Sequence, residues 1–104
     1  MEIHEHKQLT EQLQQLQGKE VHVSYTQWDA DQDDEEVAEF RATLESIRLT
    51  DNEFEDMDLL LVFQAEDEQF EILMEIPKAE GELAAVENSR LRIFGLEAEL
   101  QLSK

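Results

Sequence analysis

From Val21 onward apolar side chains recur at every second position, and this period constrains the fold more than any other feature of the chain. Val21, Val23 and Tyr25 alternate with His22, Ser24 and Thr26. Phe40, Ala42 and Leu44 alternate with Glu39, Arg41, Thr43 and Glu45, and Phe70, Ile72, Met74 and Ile76 with Glu71, Leu73 and Glu75. Successive side chains of a strand point to opposite faces, so each stretch reads as a strand with one buried face. Leu59-Leu60-Leu61-Val62-Phe63, within a strand from Met57 to Gln64, is apolar on both faces. A run of that kind belongs in the middle of a sheet, with the core on one side and a helix on the other. Leu96, Ala98, Leu100 and Leu102 carry the period to the end of a strand over Leu91–Leu102.

Only the first segment breaks the pattern. Leu9, Leu13 and Leu16 stand at i, i+4 and i+7 among Gln, Glu and Lys, which predicts a helix over 3–17 with one apolar stripe. Gly18 stops it, because a glycine just past the last leucine takes the left-handed conformation that ends helices. In two places the strand period slips. Leu44 and Ile47 fall out of phase about Ser46, as do Ile93 and Leu96 about Gly95, so a bulge or sharp bend is expected at each. Thr50-Asp51-Asn52 and Glu66-Asp67-Glu68 supply turns, Pro77 closes the fourth strand, and residues 78–89 read either as one helical turn or as an irregular loop. The expected fold class is therefore α+β in one domain spanning 1–104. An N-terminal helix (3–17) packs on a curled, five-stranded antiparallel meander sheet (19–104), since the connections are too short for crossover helices.

The leading helix, the Gly18-Lys19-Glu20-Val21-His22-Val23 first strand, the bent second strand and the late Ile93-Phe94-Gly95 together resemble the layout of Sm-like and SH3-like small β-barrels. The resemblance implies a sheet curled toward a small barrel. It implies no RNA binding, because Phe94 stands where Sm-like RNA binders carry the arginine of Ile-Arg-Gly.

Charge narrows the function. The 104 residues hold 27 Asp and Glu against 8 Lys and Arg, a net charge of −19. Residues 27–58 alone carry 13 acids and 2 bases, more than half of that excess. Nucleic acids and anionic membranes are repelled by such a surface, so neither is an expected direct partner. No run approaches the length of a membrane span, and the start of the chain lacks the apolar core of a signal peptide, so the cytoplasm is the expected location. The absence of cysteine removes disulfides, thiolate metal sites and cysteine nucleophiles.

The densest motif is Asp29-Ala30-Asp31-Gln32-Asp33-Asp34-Glu35-Glu36, six acids in eight positions directly after Trp28. Asp29, Asp31 and Asp33 occupy positions 1, 3 and 5 of a calcium loop, but Asp34 stands where the loop needs glycine and Phe40 where it needs a bidentate glutamate. A solvated hairpin loop of repelling charges fits better. His4, His6 and His22 have no two-ligand helical spacing and read as exposed, and no metal or other cofactor is expected. Glu53 with Glu55 and Glu71 with Glu75 are carboxylate pairs that so acidic a composition makes inevitable. With no nucleophile elbow and three dispersed glycines, neither acyl transfer nor a phosphate loop is indicated, and no enzyme activity is expected. Arg90 and Arg92 are expected to pair with the acidic second hairpin.

Trp28 reads either as a core tryptophan capping the open end of the barrel or, beside carboxylates, as an anchor for a partner by burial plus charge. The expected function is thus a small acidic, non-enzymatic interaction module that docks a basic protein through Trp28, Asp29, Asp31, Asp33, Asp34, Glu35 and Glu36. The alternatives are a nucleic-acid mimic whose carboxylates stand in for phosphates in the cleft of a DNA- or RNA-binding protein, and a calcium-binding protein. The sequence does not fix the oligomeric state.

Overall fold

The computed structural model describes residues 1–29, 34–51, 56–78 and 81–104, with the backbone alone at Asp29 and Asp34. A two-residue strand β1 (Glu2–Ile3) leads into the helix α1 (His6–Leu16). The remaining strands are β2 (Glu20–Asp29), β3 (Asp34–Asp51), β4 (Asp56–Ala65), β5 (Glu68–Pro77), β6 (Ala84–Glu87), β7 (Arg90–Phe94) and β8 (Ala98–Ser103). They form one antiparallel sheet in the order β1-β6-β7-β8-β2-β3-β4-β5.

The expectation of a prominent helix on a five-stranded meander, curled into a small barrel, is therefore corrected. The sheet has eight strands and is open, with β1 and β5 at its ends. Three local misreadings account for the difference. The helix begins at His6 rather than at residue 3, because Ile3 is fully buried in β1, which pairs with Ala84 of β6. Part of the ambiguous 78–89 segment is strand β6, turned into β7 through Asn88 and Ser89, both at positive φ. A two-residue loop with both residues left-handed is the turn whose twist matches a hairpin, and Asn tolerates it well. Finally, the expected long last strand reverses at Gly95 into β7 and β8, which pair Phe94 with Glu99.

The slip at Ser46 is a register shift between Leu44 and Ser46 in the β3–β4 ladder. It puts Ile47 and Leu49 opposite Leu61 and Leu59, hence on the core face. The bulge lets β3 serve two ladders, pairing with β2 through residues 34–43 and with β4 through residues 43–51. Bulges bend a strand and increase its twist. The consequence appears at the far end of the sheet, where the Leu96 N–H donates to the Glu75 carbonyl at 3.0 Å although β5 and β8 are four ladders apart.

One face of this bent sheet is the core. Val21, Val23, Leu44, Leu61, Phe63, Ile76, Ile93, Leu100 and Leu102 are fully buried, and Leu9 and Leu13 of α1 close over them. Each such side chain contributes about 1.5–3 kcal/mol by leaving water, which holds a helix of only 11 residues that is marginal alone. Gly18 ends the helix at φ 83°, and its N–H donates to Leu44 at 2.7 Å, fastening the helix exit to the β3 bulge. Contrary to expectation, β4 lies next to the end of the sheet, and its outer residues Leu60 and Val62 are half-buried.

Candidate functional site

The β2–β3 ladder runs in register to Asp29 opposite Asp34. Trp28, next to last in β2, has Glu35 directly across from it, and Gln27 faces Glu36. Glu35 and Glu36 are exposed, and Trp28 keeps 41% of its surface in water. Of the other acids in the motif, Asp29 and Asp34 are placed by backbone only, while Asp31 and Asp33 lie outside the described residues. The calcium-loop reading rests on those same positions and so lies outside them too. Among the described residues no group of three or more His, Asp or Glu could hold a metal ion.

The Trp28 N–H donates to Glu97 at 3.1 Å, which brings the β7–β8 corner to the base of the hairpin. Beside it opens a cleft of about 430 Å³ between Trp28, Leu96 and Leu73, with Glu75 and Glu97 on its rim. Leu73 and Leu96 are 59% and 43% exposed, so with Trp28 they present three large apolar side chains to water around one cleft. A second hollow of about 350 Å³ adjoins it, sharing Tyr25, Gln27 and Leu73 and extending to Phe40, Phe70 and Glu71. No Lys or Arg lines either hollow.

The bases lie elsewhere. Arg41 reaches Glu20 at 3.2 Å and Lys78 reaches Asp51 at 3.9 Å. Arg92 does not meet the second hairpin as expected; its Nε donates to Glu99 on the neighbouring strand at 3.0 Å, and its guanidinium lies 5.4 Å from the Phe94 ring. Lys19, Arg90 and Lys104 line a separate hollow at the helix exit. There hydrogen bonding with Lys104 and repulsion from its charge hold the Lys19 ammonium below its ordinary pKa. Three of the eight Lys and Arg thus gather at the helix exit, in a hollow that shares no residue with the cleft beside the tryptophan.

Sequence reasoning is right for His4, which is exposed, but misread His6 and His22, which are half-buried. His4 Nδ1 donates to the Gly81 carbonyl and His6 Nε2 to that of Pro77, each at 2.8 Å, so His6 ties the start of the chain to the end of β5 and His4 ties it to the segment that leads into β6. It also missed Leu73 and Leu96. The signal for Leu73 was present, since it stands between Glu71 and Glu75 on the outer face of β5.

Tyr25 reports on the cleft. Burial raises its phenol pKa above 10.0, and a hydrogen bond with Gln27 partly opposes the rise. Because the folded state holds this proton longer, stability is unaffected below the unfolded phenol's value. It falls as pH climbs from about 10 through the folded value. As the chain's only tyrosine, its ultraviolet absorbance titration should have a midpoint above 10.0, and unfolding in urea should return the midpoint to the ordinary value. A native midpoint at or below 10.0 would show the phenol to be freely hydrated.

Among protein-family models, curated proteins and solved structures, none matches this chain.

Proposed function

We propose that the protein is a non-enzymatic, cytoplasmic interaction module that docks a basic partner protein through the acidic β2–β3 hairpin, with Trp28 as the apolar anchor. One observation carries the reading. A half-exposed tryptophan stands at the mouth of a cleft that it shares with Leu73 and Leu96, opposite Glu35 and bonded through its backbone to Glu97, and no cation lines that cleft. Such an arrangement offers a hydrophobic contact that excludes water and a field that recruits cations, the combination from which interface hot spots are made. Chemistry at the site has less support, since no polar or charged residue is buried among the described residues and a desolvated acid or base is what catalysis by carboxylates needs.

The test separates anchor from field. Changing Asp29, Asp31, Asp33, Asp34, Glu35 and Glu36 to Asn or Gln should slow association with a basic partner and flatten its dependence on salt. Trp28→Ala should leave that salt dependence intact and weaken binding by about 2 kcal/mol or more, as loss of an anchor does. Unchanged capture of cation-rich proteins by the neutralised hairpin would end the proposal. Displacement of the captured partner by duplex DNA or RNA would instead favour the mimic reading.

A further inference from the structure

We propose that the free edge of β5 receives an extended segment of the partner as a ninth strand, and that this segment alternates Lys or Arg with apolar residues. The inference rests on the docking reading above and adds how the partner is held.

Three observations lead to it. First, β5 pairs only with β4 and ends the sheet, and although Leu96 and His6 occupy the Glu75 and Pro77 carbonyls, no strand among the described residues covers its other side from Gln69 to Leu73. The Glu75 carbonyl accepts from Leu96, which fixes the direction of its backbone groups as away from β4. In a strand these directions repeat every second residue, so the N–H and C=O of Glu71 and Leu73 also point outward from the sheet. Second, the two hollows lie along this edge, and their shared wall is Tyr25, Gln27 and Leu73. A strand added here would have one face over Tyr25, Phe40 and Phe70, which calls for apolar residues. Third, its other face would lie beside Glu71 and Glu75. On the same outer face Val62 is opposite Glu71 and Asp58 opposite Glu75, while the row between them, Leu73 and Leu60, reaches a base only at Arg48 on β3, two strands from the edge. The pleat therefore converts the two faces of β5 into a binary pattern for its ligand, apolar inward and cationic outward.

The same acids exclude a second copy of the chain. Edge strands commonly carry charge that prevents self-pairing, and two β5 edges side by side would bring Glu71 and Glu75 against their own kind. A cationic strand is the occupant that this edge does not repel.

The experiment compares two probes on the whole chain: a capped, alternating Lys-Val octapeptide and a Lys-Pro octapeptide of equal charge, in which proline prevents strand pairing. Amide hydrogen exchange followed by NMR should slow at Glu71 and Leu73 with the Lys-Val peptide only. That peptide should also bind about tenfold more tightly, main-chain hydrogen bonds being the source of affinity in strand addition. Leu73→Pro, which removes an N–H not used by the β4 ladder, should abolish the difference between the probes. Leu73→Lys, which sets a cation on the edge without touching the backbone, should weaken the Lys-Val peptide as well. Equal binding of both peptides with unchanged exchange at Glu71 and Leu73 would overturn strand addition and leave the docking reading in place. If neither peptide binds at low salt, both fail.

Discussion

Phe63→Ala should destabilise the domain by about 3–5 kcal/mol, the usual cost of removing a large, fully buried aromatic ring. Phe63 has no accessible surface and stands in register between Leu44 on β3 and Phe70 on β5. Phe40 meets it edge-on at 5.8 Å and lies 5.2 Å from Phe70, so three rings fill the inside of the bend in β3. Strand backbones joined by ladders on both sides cannot close over the space a lost ring leaves, and the cavity cost adds to the transfer cost. Domains of this size are stable by about 5–15 kcal/mol, so the loss is a large share of the whole. Urea unfolding followed by circular dichroism should show a lower midpoint for Phe63→Ala, and Phe63→Leu should recover most of it. A loss below about 1 kcal/mol would mean that the site collapses freely and that the three rings do not set the bend.

That ring cluster also indicates how much could be read before any coordinates. Phe40 and Phe70 each sit at an inward position of the period-two pattern, and the phase slip at Ser46 marked the bulge, because both signals are local in sequence, whereas Phe63 lies in a run apolar on both faces that does not say which way it points. Leu9 and Leu13 were legible as the buried stripe of a helix for the same reason. What local pattern does not carry is pairing over distance. Ile3 looks like the first residue of the helix, yet a single ladder with β6, more than 80 residues away, draws it into a strand. Ala84 and Ala85 have weak strand propensity, and only their neighbours β1 and β7 make them a strand. At the candidate site, Trp28 and the acids were visible as composition. Leu73 and Leu96 entered only when the bend brought β5 to the β7–β8 corner. Gly95 was recognised as irregular, but a period slip has the same appearance whether the chain bulges or reverses.

Gly95→Ala should cost about 1–3 kcal/mol and alter the cleft at the same time, although Gly95 lies outside the positive-φ region that usually explains a glycine. The reason is space. A Cβ there would stand 2.7 Å from Met74 Cε, 2.9 Å from the Glu75 carbonyl oxygen and 3.0 Å from that of Ala98. The methionine tip can swing aside; the two carbonyls cannot, since Ala98 O accepts from Gly95 itself at 2.8 Å and Glu75 O from Leu96. Relief must come from β5 moving away from the β7–β8 corner, which lengthens the Leu96–Glu75 bond and widens the gap between Leu73 and Leu96. Two measurements therefore move together. The thermal midpoint should fall, and the Leu96 amide should exchange faster than the ladder amides of β8 even well below that midpoint. Gly18→Ala is the informative comparison, for a Cβ there meets nothing within 4 Å and its cost comes only from the φ of 83°. It should lower stability without touching Leu96 exchange. If Gly95→Ala did the same, the corner would be yielding and the cleft would not depend on it. If Leu96 exchange rises as expected, Trp28 fluorescence should shift to the red with it, because the Trp28 backbone N–H bonds Glu97 of that corner and the residue lines the same cleft as Leu96.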